Sequence, residues 1–530
     1  MNILVSLISL FWITRTIKSV LFWIYLWQLK EYHTGRFVDH FRTEKGKRLI
    51  FGFLPIAKIV LLLLIFINNY FLYLLLCLYI IESFSFAYGA IKKQIKKPVF
   101  TLKTVLLTII SVLIIGLYFL LFQNYEEVVF FLLIFDILTP VIISIIVLFI
   151  EPIFVLMRNS ILEKAKSKRK RFANLKVIGI TGSYGKTSTK EFLTTILSSK
   201  FNCLATPEHK NSEMGIAQTI LDSLDEKHQI FIVEMGSYDK GGIKLLCDIT
   251  KPQMGIVTGI NQQHLSTFGS MEALFLAEGG VELFQSLPKN GLFIINGDNK
   301  YCLNLYKNTR ANKKFYTLRG DKVSSDIWAE EISVHKEFLD FLVMTKNKET
   351  AHIHANILGE QNIQNLLGAI ILAKELGMSL GEISEACKKI KPEQAGISMK
   401  KGIFGLDIID SSYSSNPDGV MADLNHLNVW AGKRKIVIMP CLIELGDKSS
   451  KIHLEIGKKI AETCNMAIIT TKDKFKEIKN GTLLVNSSTK IVFSEKPKEI
   501  LNLVTTFCKE GDVVLLEGGR PKELIKLLIK

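Results

Sequence analysis

The sequence predicts a bundle of about five membrane-spanning helices followed by an α/β region that contains two domains. Long apolar runs fill most of the first 155 residues, and strand-like and helix-like segments alternate through the rest of the chain. A glycine-rich turn stands where this alternation begins. At 530 residues the chain is also too long for one domain. We expect a transmembrane domain over residues 1–155, a basic linker over 156–175, a central α/β domain over 176–394 and a smaller, Rossmann-like C-terminal domain over 395–530.

The apolar runs are long enough to cross a membrane. A helix needs roughly 20 residues to span the hydrocarbon core, and five runs approach or reach that length. They are Leu4–Trp27, Leu54–Ile67, Phe71–Ala90, Val105–Phe122 and Val128–Ile150. The first run contains Arg15 and the second contains Lys58, whose amine can extend to the membrane surface. Asp136 lies in the fifth run, and one acid alone does not indicate a transporter.

The loops between the runs predict the orientation. Residues 30–48 and 91–103 are rich in lysine and arginine, whereas the segments 68–70 and 123–127 contain neither. Positively charged loops stay on the cytoplasmic side of a membrane. We therefore expect a multi-pass protein of the plasma membrane, with its N-terminus outside and everything after Glu151 in the cytoplasm.

The charge distribution favours membrane lipid over nucleic acid as a partner. The net charge is +16, and residues 1–176 alone carry 22 Lys+Arg against 9 Asp+Glu. The basic excess therefore belongs to the apolar region and its flanks, where it suits lipid headgroups, and we expect no nucleic-acid binding. The 8 cysteines stand singly, without the CxxC spacing of a zinc site, which is typical of reduced cytosolic thiols.

A phosphate-binding loop is predicted at the start of the α/β region. Residues 176–181 read as an apolar strand, Gly182 to Thr187 as a glycine-rich turn, and a helix-forming stretch follows. In such a loop backbone N–H groups close on phosphates, Lys186 offsets their charge and Thr187 can ligate Mg²⁺. The spacing departs from the common GxxxxGK[ST] pattern because Ile180 stands at its first glycine position. A chance glycine-rich turn is the alternative.

Seven further segments follow this loop in the order of a known set of motifs. They are Asn211–Gly215, Val233–Gly236, Thr258–Ser270, Asn296–Asp298, Gly359–Asn365, Ile409–Pro417, and Glu444–Gly446 with His453. Together with Thr181–Ser188 they resemble the motifs of the Mur ligase family, in particular its MurF type. The resemblance covers about residues 175–530.

The resemblance implies an ATP-dependent ligase that joins a carboxylate to an amine, with ATP and Mg²⁺ as cofactors. A carboxylate would attack the γ-phosphate of ATP to form an acyl phosphate, and an amine would then displace phosphate. Positioning and charge neutralisation supply most of the catalysis in phosphoryl transfer. A central phosphate-loop domain and a smaller C-terminal domain are expected to enclose the reactants.

The resemblance also implies roles for individual residues. Catalytic roles fall to Lys186, His264 and Glu278. The residues expected to bind ATP are Gly182, Ser183, Tyr184, Gly185, Lys186, Thr187, Ser188, Asn362, Asn365 and Asp410. The expected metal ligands are Thr187, Glu234, His264 and Glu278. The expected substrate contacts are Asn211, Tyr413, Asn416, Pro417 and His453.

Several positions depart from the family pattern. Mur ligases usually carry a carbamylated lysine where this chain has Glu278, with an alignment uncertainty of two residues, and a glutamate would supply the carboxylate directly. An expected arginine is Ile397, a second motif aspartate is Ser411, and the C-terminal KGS[RK] motif reads Glu517-Gly-Gly-Arg520. The soluble domain that recognises the UDP-sugar in MurF enzymes is replaced by the apolar region.

Three functions stay open at this point. The first is a MurF-like ligase that adds D-Ala-D-Ala to a muramyl peptide. The second is an amide ligase acting on a lipid-linked or polymer acceptor, such as a poly-γ-glutamate-type synthetase. The third is a non-catalytic membrane scaffold that retains a nucleotide-binding fold. Taken singly, His264 and Glu234 also suit ordinary strand ends, Asn416-Pro417 an ordinary turn and His453 a solvated helix face.

Overall fold

The protein divides into two compact units, Met1–Asn159 and Ser160–Lys530, which are described separately. The computed structural model describes residues 3–92, 95–123, 128–208, 210–237, 239–261, 268–307, 309–310, 312–320, 322, 324–412, 416–443, 445–485, 488–519 and 522–529.

The first unit is helical. Its helices are α1 (Ile3–Leu29), α2 (Thr34–His40), α3 (Glu44–Phe51), α4 (Phe53–Ile67), α5 (Phe71–Ile91), α6 (Leu102–Phe122) and the start of α7 (Val128–Lys170). In the described residues five helical stretches, α3 and α4 counted as one, are long and apolar enough to cross a membrane. The prediction of five long apolar helices is confirmed.

The helices of this unit are apolar on their outer faces as well as in their interior. Trp12 and Leu132 are fully buried, whereas Leu63 is 65% exposed and Phe66 84% exposed. A helix that is apolar all round is typical of a membrane span rather than of the surface of a water-soluble protein.

Most of the basic segment that was expected to be a linker is helical. α7 continues without a break from Val128 to Lys170, although Pro140 and Pro152 lie inside it. Lysine and arginine are good helix formers, and extending an existing helix is easier than starting a new one. Only the residues between Lys170 and β1 are left as a connection.

The second unit begins with a nine-stranded sheet, counted over the described residues, in the order β2-β3-β1-β4-β5-β6-β7-β8-β9. The strands are β1 (Lys176–Thr181), β2 (Cys203–Ala205), β3 (Ile230–Glu234), β4 (Met254–Val257), β5 (Leu292–Asn296), β6 (Lys313–Thr317), β7 (Ile327–Val334), β8 (Leu339–Thr345) and β9 (Thr350–Ala355). The pairs from β2 to β7 are parallel, and β7, β8 and β9 are antiparallel. The central strands are apolar apart from polar residues at their ends, as expected for strands covered on both faces.

Helices cover this sheet. They are α8 (Lys186–Leu197), α9 (Glu213–Ser223), α10 (Gly242–Thr250), α11 (Met271–Leu276), α12 (Val281–Ser286), α13 (Lys300–Tyr306), α14 (Gln361–Glu375) and α15 (Leu380–Cys387). α14 is buried over most of its length and shares a core with α8. The carboxyl ends of β1, β3 and β4 meet at one edge of the sheet, where ligands bind in open α/β sheets.

The C-terminal domain has a six-stranded sheet in the order β10-β11-β15-β12-β13-β14, again counted over the described residues. Its strands are β10 (Ser398–Lys401), β11 (Asp407–Ser411), β12 (Lys435–Met439), β13 (Met466–Ile469), β14 (Lys490–Phe493) and β15 (Val513–Glu517). Its helices are α16 (Pro417–His426), α17 (Ser449–Thr463), α18 (Phe475–Leu484), α19 (Pro497–Phe507) and α20 (Lys522–Leu528). Only β10 is antiparallel to its neighbour. The expected smaller α/β domain is therefore present.

Candidate active site at the phosphate loop

The phosphate loop joins β1 to α8, and its two glycines have left-handed backbone conformations. The φ angle is +142° at Gly182 and +73° at Gly185. A Cβ atom at Gly182 would lie 2.1 Å from Thr258 Oγ1, and one at Gly185 would lie 2.4 Å from Asn365 Oδ1. Both positions therefore require glycine. The Lys186 amine donates to the Gly182 carbonyl at 2.5 Å, at a helix N-terminus suited to anions.

Glu234 ends β3 and lies against the first turn of α8. Its Oε1 accepts hydrogen bonds from Thr187 Oγ1 and Asn211 Nδ2, each at 3.0 Å. Its Oε2 lies 3.4 Å from the amine of Lys190, which is fully buried and also 3.1 Å from Glu191 Oε1. Lys190 was missed in the sequence, although its spacing of four residues from Lys186 places both lysines on one face of α8.

Glu278 reaches the loop from the turn between α11 and α12. It is buried, and its Oε2 accepts a hydrogen bond from Ser183 Oγ at 2.7 Å. Glu282 instead accepts from the backbone N–H groups of Gly241 at 2.6 Å and Lys244 at 2.9 Å, which holds the start of α10. Of these two acids, Glu278 is therefore the one that faces the loop.

The donor groups at this edge suit a hard divalent cation. Two carboxylates, Glu234 and Glu278, contact the hydroxyls of Thr187 and Ser183, and oxygen ligands of this kind are those that Mg²⁺ prefers. Over the described ranges, no three His, Cys, Asp or Glu side chains form a ready metal cluster. His264, the other expected ligand, lies outside the residues that the structure describes. Its role stays a prediction.

Asn362 and Asn365 lie under the loop on α14. Asn365 Nδ2 donates to Asn362 Oδ1 at 2.9 Å, and Asn362 Nδ2 donates to the Leu358 carbonyl at 2.7 Å. Both side chains are buried, and Asn365 Oδ1 faces Gly185. This placement lets the pair brace the phosphate loop. The expected role near adenine stays a prediction.

Tyr184, at the centre of the loop, is a packed residue. Its hydroxyl accepts a hydrogen bond from Asn299 Nδ2 at 3.2 Å, and its backbone carbonyl accepts one from Thr258 Oγ1. Burial raises the pKa of Tyr184 well above its usual range. The phenol therefore stays protonated. Its hydroxyl links the loop to Asn299 at the start of α13, and the backbone carbonyl links the loop to Thr258, just after β4. Ser188, in the first turn of α8, donates to the Ala395 carbonyl at 3.1 Å.

Asp410 is the penultimate residue of β11 in the C-terminal domain. Burial alone would raise its pKa, but hydrogen bonds from Ser412 and Lys400 outweigh burial and hold the pKa below its ordinary value. Lys400 Nζ lies 2.9 Å from Asp410 Oδ2, and Ser412 Oγ lies 2.5 Å from Asp410 Oδ1. The carboxylate is thus ionised and preorganised as an acceptor, as its predicted ribose contact would require.

Asn416 and Pro417 begin α16, where Asn416 caps the helix by accepting from Gly419 N at 3.0 Å. Asn261, just after β4, joins this turn to the central domain. Its Nδ2 lies 3.2 Å from Asn416 Oδ1 and 2.9 Å from Asp418 Oδ2.

A cavity of about 340 Å³ opens beside this turn, lined by residues of α16 and α17 and by Lys448.

His453 does not lie on a solvated helix face. It is fully buried, its Nε2 accepts from Leu442 N at 2.9 Å, and its Nδ1 lies 2.7 Å from the Ser449 carbonyl. Burial lowers the pKa of His453, so the ring is neutral with the proton on Nδ1. In this arrangement both ring nitrogens hydrogen-bond to backbone groups, and the ring holds the segment after β12. The expected substrate contact of His453 stays a prediction. Tyr413 lies outside the described residues.

Asp423, on α16, was not predicted. It accepts from Ser411 Oγ at 2.5 Å and from Gln361 Nε2 at 2.9 Å, which links the C-terminal domain to α14. Burial raises its pKa to about 6. Ser411, which departs from the family pattern, therefore serves this internal contact. Ile397, the other departure, is 3% exposed and packs in the apolar core, where an arginine would be costly.

Two family models match the second unit. The Mur ligase middle domain matches residues 180–373, and the glutamate ligase domain of Mur ligases matches residues 398–520. Together they cover more than half of the chain. The chain belongs to the Mur ligase family. Members of this family are ATP-dependent ligases of acids and amino acids.

Relatives and solved structures agree with this membership. A UDP-N-acetylmuramoyl-tripeptide–D-alanyl-D-alanine ligase of Bacillus subtilis is 26% identical over 67% of this chain and 76% of its own length. The Synechocystis protein of the same name is 29% identical over 66% of this chain and 73% of its own.

Two solved MurF structures share the fold of this Mur ligase. MurF from Acinetobacter baumannii has a TM-score of 0.62 at 24% identity and covers 70% of this chain and 80% of its own. MurF from Thermotoga maritima in complex with ADP has a TM-score of 0.61 at 22% identity, over 70% of this chain and 83% of its own.

Proposed function

We propose that this Mur ligase joins the amine of D-Ala-D-Ala to the terminal carboxylate of a muramyl tripeptide, converting ATP to ADP and phosphate. The names of the Bacillus and Synechocystis relatives support this pair of substrates. A carboxylate oxygen would bond to the γ-phosphorus while ADP leaves. The amine nitrogen would then bond to the acyl carbon while phosphate leaves and the amine gives up its proton.

The proposal rests on two buried glutamates that contact the phosphate loop. Glu234 contacts Thr187, and Glu278 contacts Ser183, so two carboxylates reach the loop hydroxyls from different segments. Bound Mg²⁺ would neutralise phosphate charge there. The Lys186 amine and the N-terminus of α8 would hold the β- and γ-phosphates, while Asp410 would accept from the ribose.

We also propose that the five apolar helices span the plasma membrane, with both ligase domains in the cytoplasm. The exposed apolar faces of these helices and the basic loops at 30–48 and 91–103 support this location. Because the bundle precedes the ligase domains directly, a lipid-linked muramyl peptide is an acceptor that such an enzyme can meet at the membrane surface. A UDP-linked acceptor is the other carrier to be tested.

The test is ADP release by the full chain in detergent, with D-Ala-D-Ala and either a UDP-linked or a lipid-linked muramyl tripeptide. Release that requires both substrates is expected, and its dependence on the carrier identifies the acceptor. Lys186→Ala should abolish release. Lys200→Ala is the matched control, because this lysine is exposed and pairs with Glu382 on the surface.

The opposite result is equally clear. ADP release that needs neither substrate, or that survives in Lys186→Ala, would contradict the proposal. ATP binding without any release, with either carrier, would favour a different acceptor or a scaffold that retains only the nucleotide site.

A further inference from the structure

Among the described residues of the helical first unit, four charged side chains from different helices meet in its interior. Arg15 comes from α1, Lys58 from α4, Glu82 from α5 and Asp136 from α7. The exposed fractions of their side chains are 16%, 3%, 13% and 0%, respectively. Each lies well inside its helix rather than at an end, in a bundle that is otherwise largely apolar.

These four side chains form a closed ring in which positive and negative charges alternate. The Lys58 amine lies 2.6 Å from Glu82 Oε2 and 3.0 Å from Asp136 Oδ2. Arg15 Nε lies 3.4 Å from Glu82 Oε2, and Arg15 Nη1 contacts Asp136 Oδ1. The hydroxyl of Tyr79 donates to Asp136 Oδ2 at 3.2 Å. We call Arg15, Lys58, Glu82 and Asp136 the charge ring.

The balance of the ring matters more than any single contact. A charge in an apolar interior is expensive unless it is paired, and removing one partner leaves an uncompensated charge behind. The ring contains two cations and two anions, so its total charge is zero. Each cation contacts both anions, so each side chain has two partners of opposite charge. Within lipid, apolar surfaces give helices little preference for one neighbour over another, so polar contacts decide which helices meet.

We propose that the charge ring selects the helix neighbours of the bundle, because Arg15 of α1 and Lys58 of α4 pair with Glu82 of α5 and Asp136 of α7. This inference rests on the membrane location proposed above. The first unit is then an assembled domain with a defined interior rather than a set of independent membrane anchors. Arg15 and Lys58 lie in apolar helices and require Glu82 and Asp136 as partners.

Two double variants of the full chain distinguish the effect of charge pairing from the effect of losing charged side chains. Arg15→Gln/Asp136→Asn removes one charge of each sign and leaves the Lys58–Glu82 pair at 2.6 Å. Glu82→Gln/Asp136→Asn removes two charges of one sign and leaves two buried cations. Both carry Asp136→Asn and a second amide, so they differ chiefly in the charge balance that remains.

The readout is the thermal midpoint of unfolding in detergent, with limited proteolysis in native membranes as a second measurement for variants that do not survive extraction. The single variant Asp136→Asn and the unbalanced double should lower the midpoint by roughly 6–20 °C, since breaking a buried pair is strongly destabilising. The balanced double should recover most of that loss. Asp39→Asn/Arg42→Gln, which removes a more exposed pair, is the control and should change little.

The proposal is overturned when the balanced double is as unstable or as protease-sensitive as the unbalanced one, or when Asp136→Asn matches the unchanged protein. The membrane location is tested separately by fractionation. Recovery of the unchanged protein in the soluble fraction would contradict the membrane location. If the protein is membrane-bound but its two double variants are equally stable, only the proposed role of the charge ring is contradicted.

Discussion

Replacing Lys190 by methionine should destabilise the second unit through Glu234. Methionine retains an apolar side chain of similar length in the fully buried site but removes the amine that lies 3.4 Å from Glu234 Oε2. Glu234 is only 4% exposed, so its carboxylate would lose its cationic partner without gaining water. Its Oε1 would keep the hydrogen bonds from Thr187 and Asn211.

The size of the effect follows from this geometry. Breaking a buried ion pair lowers the free energy of unfolding by about 3–5 kcal/mol. Because Glu234 keeps two hydrogen bonds, we expect the low end of this range, about 3 kcal/mol. For a unit of this size that corresponds to a fall in the thermal midpoint of about 3–6 °C. The freed carboxylate should also orient less well toward a cation, so the Mg²⁺ concentration for half-maximal ADP release should rise.

The comparison variant is Glu191→Gln, which removes the other partner of Lys190. Glu191 is 30% exposed, so its loss should cost less than about 1 kcal/mol. Differential scanning fluorimetry of both variants, with a Mg²⁺ titration of ADP release, measures the two effects. Equal midpoints for Lys190→Met and Glu191→Gln would refute the view that Lys190 acts through Glu234.

Three further results are expected. Gly185→Ala should weaken ATP binding, measured by calorimetry, because its Cβ would meet Asn365, whereas Gly377→Ala has a similar left-handed φ but open space and should leave ATP binding unchanged. Glu278→Gln should lower ADP release by about 10–100-fold, because a loop carboxylate is lost while the side chain keeps its size. Because the pKa of Asp423 is raised to about 6, above its ordinary 3.8, the folded state binds the extra proton, so the free energy of unfolding should fall as pH rises from about 4 to 6. Asp423→Asn should flatten that dependence in urea titrations, and an unchanged slope would contradict this cause.

The features that the sequence predicted well are local ones. The phosphate loop can be predicted without knowledge of the fold, because its strand, two glycines, lysine and helix are adjacent in the chain. The five apolar helices are likewise predicted by composition over a short window. The helical continuation of α7 to Lys170 was missed because a run of basic residues suits a solvated tether as well as a helix.

The features that could not be predicted depend on contacts between distant segments. Asp136 stood alone in the sequence, and its partners Arg15 and Lys58 are separated from it by most of the bundle. The pKa of Asp423 is raised by burial, which outweighs the opposing hydrogen bonds from Ser411 and Gln361, and no local pattern encodes that burial. His453 is also fully buried, although Lys451 and Glu455, two residues away on either side, are charged.

The amide of Asn261 has a consequence for how the two ligase domains communicate. It ties the first turn of α16 to the segment after β4, only a few residues from Thr258, which bonds to the Tyr184 carbonyl inside the phosphate loop. Linkage between two sites is reciprocal. A nucleotide that shifts Thr258 would change the energy of the Asn261–Asp418 contact and thereby the affinity for a substrate that binds at α16. That substrate would change the affinity for the nucleotide by the same factor. The Asn261 amide thus provides a physical contact through which the phosphate loop and the first turn of α16 can influence each other.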